Sequence, residues 1–210
     1  PGVFGREVAD VAMNYVGGLA RETFRIDREI RADKSWPKPR GISLAGRKAG
    51  LIGFGDIGRN TARRLLAAEL DVIVYDPFYQ PVEGLNVTPM SWPEGVEDCD
   101  FLVFTAPLNA ATRHMFNEDV LERVKPGLRL VNVGRGPVVK ESALLAGLAD
   151  GRIHSVALDV FEIEPLQADS PLRQYDRCIF GSHNGSNTED AVRRVSRQAI
   201  GHLFEFLGVK

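Results

Sequence analysis

The feature that most limits how this chain can fold is the run from residue 49 to residue 58. Ala49-Gly50-Leu51-Ile52-Gly53-Phe54 reads as a buried strand, and its end merges into Gly53-Phe54-Gly55-Asp56-Ile57-Gly58 ahead of a helical stretch. Each glycine at that spacing answers a different steric demand. Gly53 permits the tight turn, Gly55 lets phosphates approach the backbone, and Gly58 lets helix and strand pack closely. The helix start offers unpaired N–H groups and a partial positive charge to those phosphates. In a chain with 21 glycines the spacing alone is weak. Its setting strengthens it. The next strand, 71–75, ends in Asp76, 18 residues beyond Gly58, close to the roughly 20 expected of an acid that accepts from the adenosine ribose. That carboxylate would repel a 2′-phosphate, and Pro77-Phe78 supplies no arginine in compensation. S-adenosylmethionine also uses a Gly-rich turn and an acid, so this half of the chain leaves it open beside NAD. Asp56 suits a helix N-terminus but not a neighbouring pyrophosphate, and is expected to weaken cofactor binding unless it points away.

Around this turn, strand and helix patterns alternate. Strands are expected at 49–54, 71–75, 101–105, 128–132, 153–158 and 177–181, and helices at 57–69, 91–97, 117–123, 141–149 and 188–207. Ser91-Trp92-Pro93-Glu94 has the capping-box spacing. Runs such as 101–105 and 128–132 are nearly continuous in apolar residues, the mark of a parallel sheet buried on both faces. The expected fold is therefore α/β, a Rossmann-type doubly wound parallel sheet. Residues 5–33 add an extra long N-terminal helix, with Val8, Val11, Ala12, Tyr15, Val16, Leu19, Ile26 and Ile30 on one face. Gly17-Gly18 within it suggests a close packing partner or a bend, and Pro37 and Pro39 follow its end.

Charge and cysteine usage narrow the function classes. With 26 basic and 28 acidic residues the net charge is −2, which argues against a nucleic-acid binder. The one local basic excess, residues 21–40, mixes both signs and reads as a solvated helix face. No apolar run approaches the roughly 18 residues of a membrane helix. Cys99 and Cys178 stand far apart with no histidine cluster, so neither a disulfide framework nor a metal site is expected, and a reducing, cytoplasmic setting is.

The second half carries three polar clusters, each just past an expected strand: Asn132-Val133-Gly134-Arg135-Gly136, Asp159-Val160-Phe161-Glu162-Ile163-Glu164-Pro165, and Ser182-His183-Asn184-Gly185-Ser186. An arginine, a carboxylate and a histidine thus meet on the edge where open α/β sheets bind ligands. Such a set suits carbonyl reduction: a cation for an anionic substrate, a proton donor, and an acid to tune the donor. With Gly53–Gly58, Tyr75-Asp76-Pro77 and Ala106-Pro107-Leu108 with Thr112, these clusters resemble, in order along the whole chain from Pro1-Gly2-Val3, the D-isomer-specific 2-hydroxyacid dehydrogenases.

The resemblance implies an NAD-dependent oxidoreductase acting on a small 2-hydroxy or 2-keto acid. It places the substrate-gripping arginine on Arg135, the carboxylate on Glu164 rather than Glu162, and the acid/base on His183. It implies that Asp159 holds the nicotinamide carboxamide and that Asp56, Ile57, Thr105, Val133, Gly134, Arg135, His183 and Ser186 also contact the cofactor. The chain departs from the family pattern at Ser182, where proline is usual, and at Asn184, Thr105 and Lys140. The resemblance further implies that residues 1–210 are the cofactor-binding domain, with the family's separate substrate domain absent, so that the chain alone binds NAD but turns over poorly. A homodimer through this domain, with the long helix as an arm, is expected. An NAD-sensing module like the family's corepressors is the alternative use of the same fold.

Overall fold

The computed structural model describes residues 2–33 and 35–208; Pro1, from which part of the resemblance was read, lies outside them. Seven strands form one sheet: β1 (Lys48–Ile52), β2 (Asp71–Tyr75), β3 (Thr88–Pro89), β4 (Phe101–Phe104), β5 (Leu128–Asn132), β6 (Ile153–Leu158) and β7 (Ile179–Phe180). Their order is β3-β2-β1-β4-β5-β6-β7, and every pairing is parallel. Six helices accompany them: α1 (Gly5–Arg21), α2 (Thr23–Asp33), α3 (Asp56–Ala67), α4 (Glu118–Arg123), α5 (Glu141–Asp150) and α6 (Glu189–Leu207).

Alternation along the strands sorts the core into two layers. Leu51, Val74, Phe101, Val103 and Val131 face one side, where Ala12, Val16 and Leu19 of α1 and Ala62 and Leu65 of α3 cover them. Ile52, Tyr75, Leu102, Phe104 and Leu130 face the other, under Leu121 of α4 and Leu144 of α5. Each such side chain, once buried, contributes about 1.5–3 kcal/mol, which explains why the central strands are apolar on both faces. Chain direction across the sheet reverses at β1. From there β2 and β3 run outward to one side, and β4 to β7 lie on the other. Open α/β sheets bind ligands in the crevice past the C-terminal strand ends at such a reversal, here between β1 and β4.

Three expectations change. The N-terminal helix is two helices, because Glu22 adopts a left-handed backbone (φ 53°) between α1 and α2. Gly18 is a close contact, where a Cβ would lie 2.7 Å from the Phe24 ring, whereas Gly17 faces open space. No α-helix forms over 91–97. Glu94 N–H donates to Ser91 O, Gly95 takes a positive φ of 74°, and only a 3-10 turn, Val96–Asp98, follows. Trp92 is held instead as an aromatic wedge, edge-on to Tyr75 and Phe104, with its indole N–H donating to Met115 O at 3.1 Å. The seventh strand, β3, is a two-residue edge too short and too polar to show a pattern.

Candidate functional site

The glycine turn behaves as its steric argument requires. Gly53 has φ 94°, and a Cβ there would press on Ala106 at 2.9 Å. A Cβ on Gly58 would overlap the Gly53 carbonyl, while Gly55 faces open space. Beyond it lies a cleft of about 520 Å³, within the roughly 300–1,000 Å³ of small-molecule sites. Gly53, Gly55, Asp56, Ile57, Gly58, Asp76 and Thr105 all line it.

Asp76 closes one end of the cleft. Its Oδ2 accepts from Phe54 N–H at 2.6 Å and its Oδ1 from Phe78 N–H at 2.8 Å. Each ionised oxygen still has a lone pair for a hydroxyl. Thr105 acts as a fastener between strands: its hydroxyl lies 3.0 Å from both Ile52 O and Gly53 O. Asp56 starts α3, accepts from Asn60 at 3.2 Å, and packs its carboxylate against Gly5 in the first turn of α1. Its charge thus lies at a second helix N-terminus while Asp56 still lines the cleft. Residues 2–5 also line the cleft; Gly2 and Val3 belong to the resemblance, and Phe4 and Gly5 to no motif.

The second group gathers past β5, β6 and β7. His183 Nδ1 lies 2.7 Å from Glu164 Oε2, and Glu164 Oε1 accepts from Phe161 N–H at 3.0 Å. Burial works to raise the Glu164 pKa. The hydrogen bonds from His183 and Phe161, with the fields of His183 and Arg135, outweigh burial and hold it below the usual carboxylate value. Arg135 is exposed and donates to Gly134 O at 2.7 Å. Its backbone is set by Asn132, whose buried amide donates to Arg135 O at 3.1 Å and accepts from Gly134 N–H at 3.0 Å. The sequence shows Asn132 in a motif, but this bracing role emerges only with the turn.

Asp159 is buried, and its oxygens hold the His183 turn. His183 N–H donates to its carbonyl at 2.7 Å, Asn184 N–H to Oδ1 at 3.2 Å, and Gly185 N–H to Oδ2 at 2.9 Å. Two successive N–H groups, of Asn184 and Gly185, cradle the carboxylate as an anion nest, the His183 N–H is held by the backbone carbonyl, and His183 takes a left-handed backbone, φ 57°, within the turn. Val133, Gly134, Arg135, Asp159, His183 and Ser186 do not line the dinucleotide cleft. Val133 and Gly134 are buried under it, with Gly134 against the Ala106 carbonyl. Among the described residues, no helix is long and apolar enough to cross a membrane.

Residues 13–185 match the model of the D-isomer specific 2-hydroxyacid dehydrogenase, NAD binding domain. Over 213 residues the chain is 33% identical to the hydroxypyruvate reductase of Thermotoga maritima, covering 100% of this chain and 69% of that protein. It is 34% identical over 193 residues to D-3-phosphoglycerate dehydrogenase 2, chloroplastic, of Arabidopsis thaliana, covering 90% of this chain but 31% of that one. A glyoxylate reductase structure from Paecilomyes thermophila superposes with a TM-score of 0.89 at 30% identity, over 97% of this chain and 62% of its own.

Proposed function

The chain belongs to the D-isomer specific 2-hydroxyacid dehydrogenase family and carries its NAD-binding domain, and from that premise we propose that it serves hydride transfer between NAD and a D-2-hydroxy acid or its 2-keto acid. The observation that carries the reading is the Glu164–His183 pair at 2.7 Å, with Arg135 close enough to act on Glu164. The open face at Gly55, the tight closure of Gly58 on Gly53 and the Asp76 carboxylate fit a dinucleotide. When bound, NAD supplies the hydride acceptor or donor.

The chain's own side chains do the rest. His183 gives a proton through Nε2 to the substrate's carbonyl oxygen, or takes it from the alcohol in reverse. Glu164 accepts from Nδ1 and so fixes which ring nitrogen is free to exchange that proton. Arg135 grips the substrate carboxylate with its planar fork. Glyoxylate and hydroxypyruvate, substrates named for the relatives, are the first to try. Since the chain spans between 31% and 69% of the proteins compared, residues 1–210 are read as the cofactor domain, and the opposite wall of the cleft as the work of a second domain. Two buried free thiols support the reading of a reducing, cytoplasmic setting. A homodimer through this domain, with the N-terminal helices as an arm, is read from the resemblance; of the apolar face at residues 8–30, Ile30 is 39% exposed, while Val8, Ala12, Tyr15, Val16 and Leu19 are buried within the chain.

Calorimetric titration with NADH, NADPH and S-adenosylmethionine tests the reading, followed by addition of each keto acid. Selective NADH binding is expected, with little turnover. Binding of S-adenosylmethionine alone refutes it. Light scattering that gives a monomer removes the dimer.

A further inference from the structure

His114 belongs to none of the motifs, yet it has a close partner. His114 Nε2 lies 2.5 Å from Glu162 Oε1, and Glu162 Oε2 accepts from Glu141 N–H, the first residue of α5, at 2.9 Å. His114 sits on the loop after β4 that walls the dinucleotide cleft. Its backbone is left-handed (φ 51°), and its N–H donates to Pro137 O at 2.8 Å. Glu162 sits on the loop after β6, two residues before Glu164. The turn after β5 abuts the same loop, since a Cβ on Gly136 would overlap the Phe161 carbonyl. One carboxylate therefore ties together the loops that follow β4, β5 and β6.

That tie matters because, past the buried Val160 and Phe161, whose ring packs against Phe180, the loop has few hydrogen bonds to hold it. Among the described residues, no backbone–backbone hydrogen bond fixes residues 160–166. Ile163 is 65% exposed and Glu164 is exposed beside it. What remains is Phe161 N–H on Glu164 itself, Arg173 on Leu166 O at 3.0 Å, Gln167 on Pro165 O at 2.9 Å, and the clasp at Glu162. Of the loop's side chains, Glu164 reaches the segment after β7, and Glu162 is the one that hydrogen-bonds to the segments after β4 and β5.

We propose that Glu162, locked by His114, is a positioning residue that holds the 161–164 loop where Glu164 meets His183. The inference rests on the reading of Glu164 and His183 given above. Because an ionised carboxylate only accepts, contact with Glu164 keeps the neutral His183 ring in its Nδ1–H form. Loss of that contact releases the ring toward the Nε2–H form favoured by free imidazole.

Long-range nitrogen-15 NMR of the histidine rings reads this tautomer directly in the folded chain. Glu162→Ala is expected to lower the His183 ratio of Nδ1–H to Nε2–H by about tenfold, the equivalent of roughly 1.4 kcal/mol. Glu162→Gln keeps an oxygen for Glu141 N–H and an amide for His114, and leaves the ratio near wild type. His114→Ala leaves the α5 cap in place and carries the test if alanine at 162 does not fold; it too shifts the ratio. Glu164→Ala is the reference for the underlying reading. If Glu164→Ala shifts the tautomer while Glu162→Ala and His114→Ala do not, the positioning role is refuted and the reading of Glu164 stands. An equal shift in Glu162→Gln and Glu162→Ala also refutes it, since the first retains both hydrogen bonds. If Glu164→Ala itself changes nothing, the reading of the Glu164–His183 pair fails, and the inference fails with it.

Discussion

Replacing Asp159 with asparagine preserves shape and swaps one oxygen for an amide nitrogen, so it isolates the turn that presents His183. The wild-type residue collects three consecutive N–H groups, from His183 at 2.7 Å, Asn184 at 3.2 Å and Gly185 at 2.9 Å. In the variant one side-chain acceptor remains, uncharged, and the new NH2 faces a backbone donor. A hydrogen bond to a charged group contributes about 1.5–3 kcal/mol, so losing one and weakening another costs roughly 2–3 kcal/mol. Against this stands the left-handed backbone of His183 at φ 57°, a conformation that stores about 1–3 kcal/mol. With the nest weakened, the strain is no longer outweighed and the turn opens. At 1.4 kcal/mol per factor of ten, the opening equilibrium rises by about 30- to 150-fold. Amide hydrogen exchange at Asn184 and Gly185 measures this directly, with Leu102 and Val131 in the sheet as references. Tyr15 gives an independent check. Burial foremost, and Asp159 second, push its phenol up to about 12, so its spectrophotometric titration should move down in the variant. If protection at 184 and 185 stays within about threefold of wild type, Asp159 does not hold the turn.

Two further outcomes follow from the electrostatics. Burial, reinforced by the charges of Arg129 and Arg177, lowers His154 to about 4. The unfolded chain therefore takes up a proton first as pH falls, so this contribution is complete above pH 6.5 and is lost between there and about pH 4. It amounts to roughly 3 kcal/mol. Urea denaturation across that window should show the slope in wild type, and His154→Asn should flatten it; an unchanged slope refutes the assignment. Asp76→Ala frees the Phe54 and Phe78 N–H groups and removes the ribose acceptor. NADH affinity should fall by about 10- to 100-fold, from 1.5–3 kcal/mol for a charged hydrogen bond, and calorimetry showing an unchanged Kd would take Asp76 out of the site.

What could be read from the sequence was what local sterics and periodicity decide. The glycine turn is legible because the Gly53, Gly55 and Gly58 spacing and the strand before it are local in the chain, although the contact on Gly53 comes from Ala106, and the parallel sheet because Phe101–Phe104 and Leu128–Asn132 are buried on both faces. The break at Glu22 was not, since Leu19 and Ile26 keep one rhythm through it and only the packing of Gly18 on Phe24 turns the chain. The 91–97 segment has a capping pattern, but Trp92 is captured by Tyr75 and Phe104, partners distant in sequence. The site divides in the same way. Glu164 and His183 were marked by family motifs. The bond from His114 to Glu162 spans 48 positions, and the turn of Asp56 toward Gly5 depends on a helix that begins far away in the chain. Neither leaves a local trace.

The last helix has little tertiary packing to support it. Ala191 is the one residue of α6 buried among those described, while Val192, Ile200, Leu203 and Leu207 are all more than half exposed. Most helices in proteins owe their persistence to the tertiary packing of an amphipathic face rather than to intrinsic propensity. Nineteen residues of α6 thus carry the thermal behaviour of a peptide attached to that of a globular core. On heating, far-UV ellipticity should decline gradually from α6 well before the near-UV signal of Trp92 collapses, and the melting of this chain will not be a single transition.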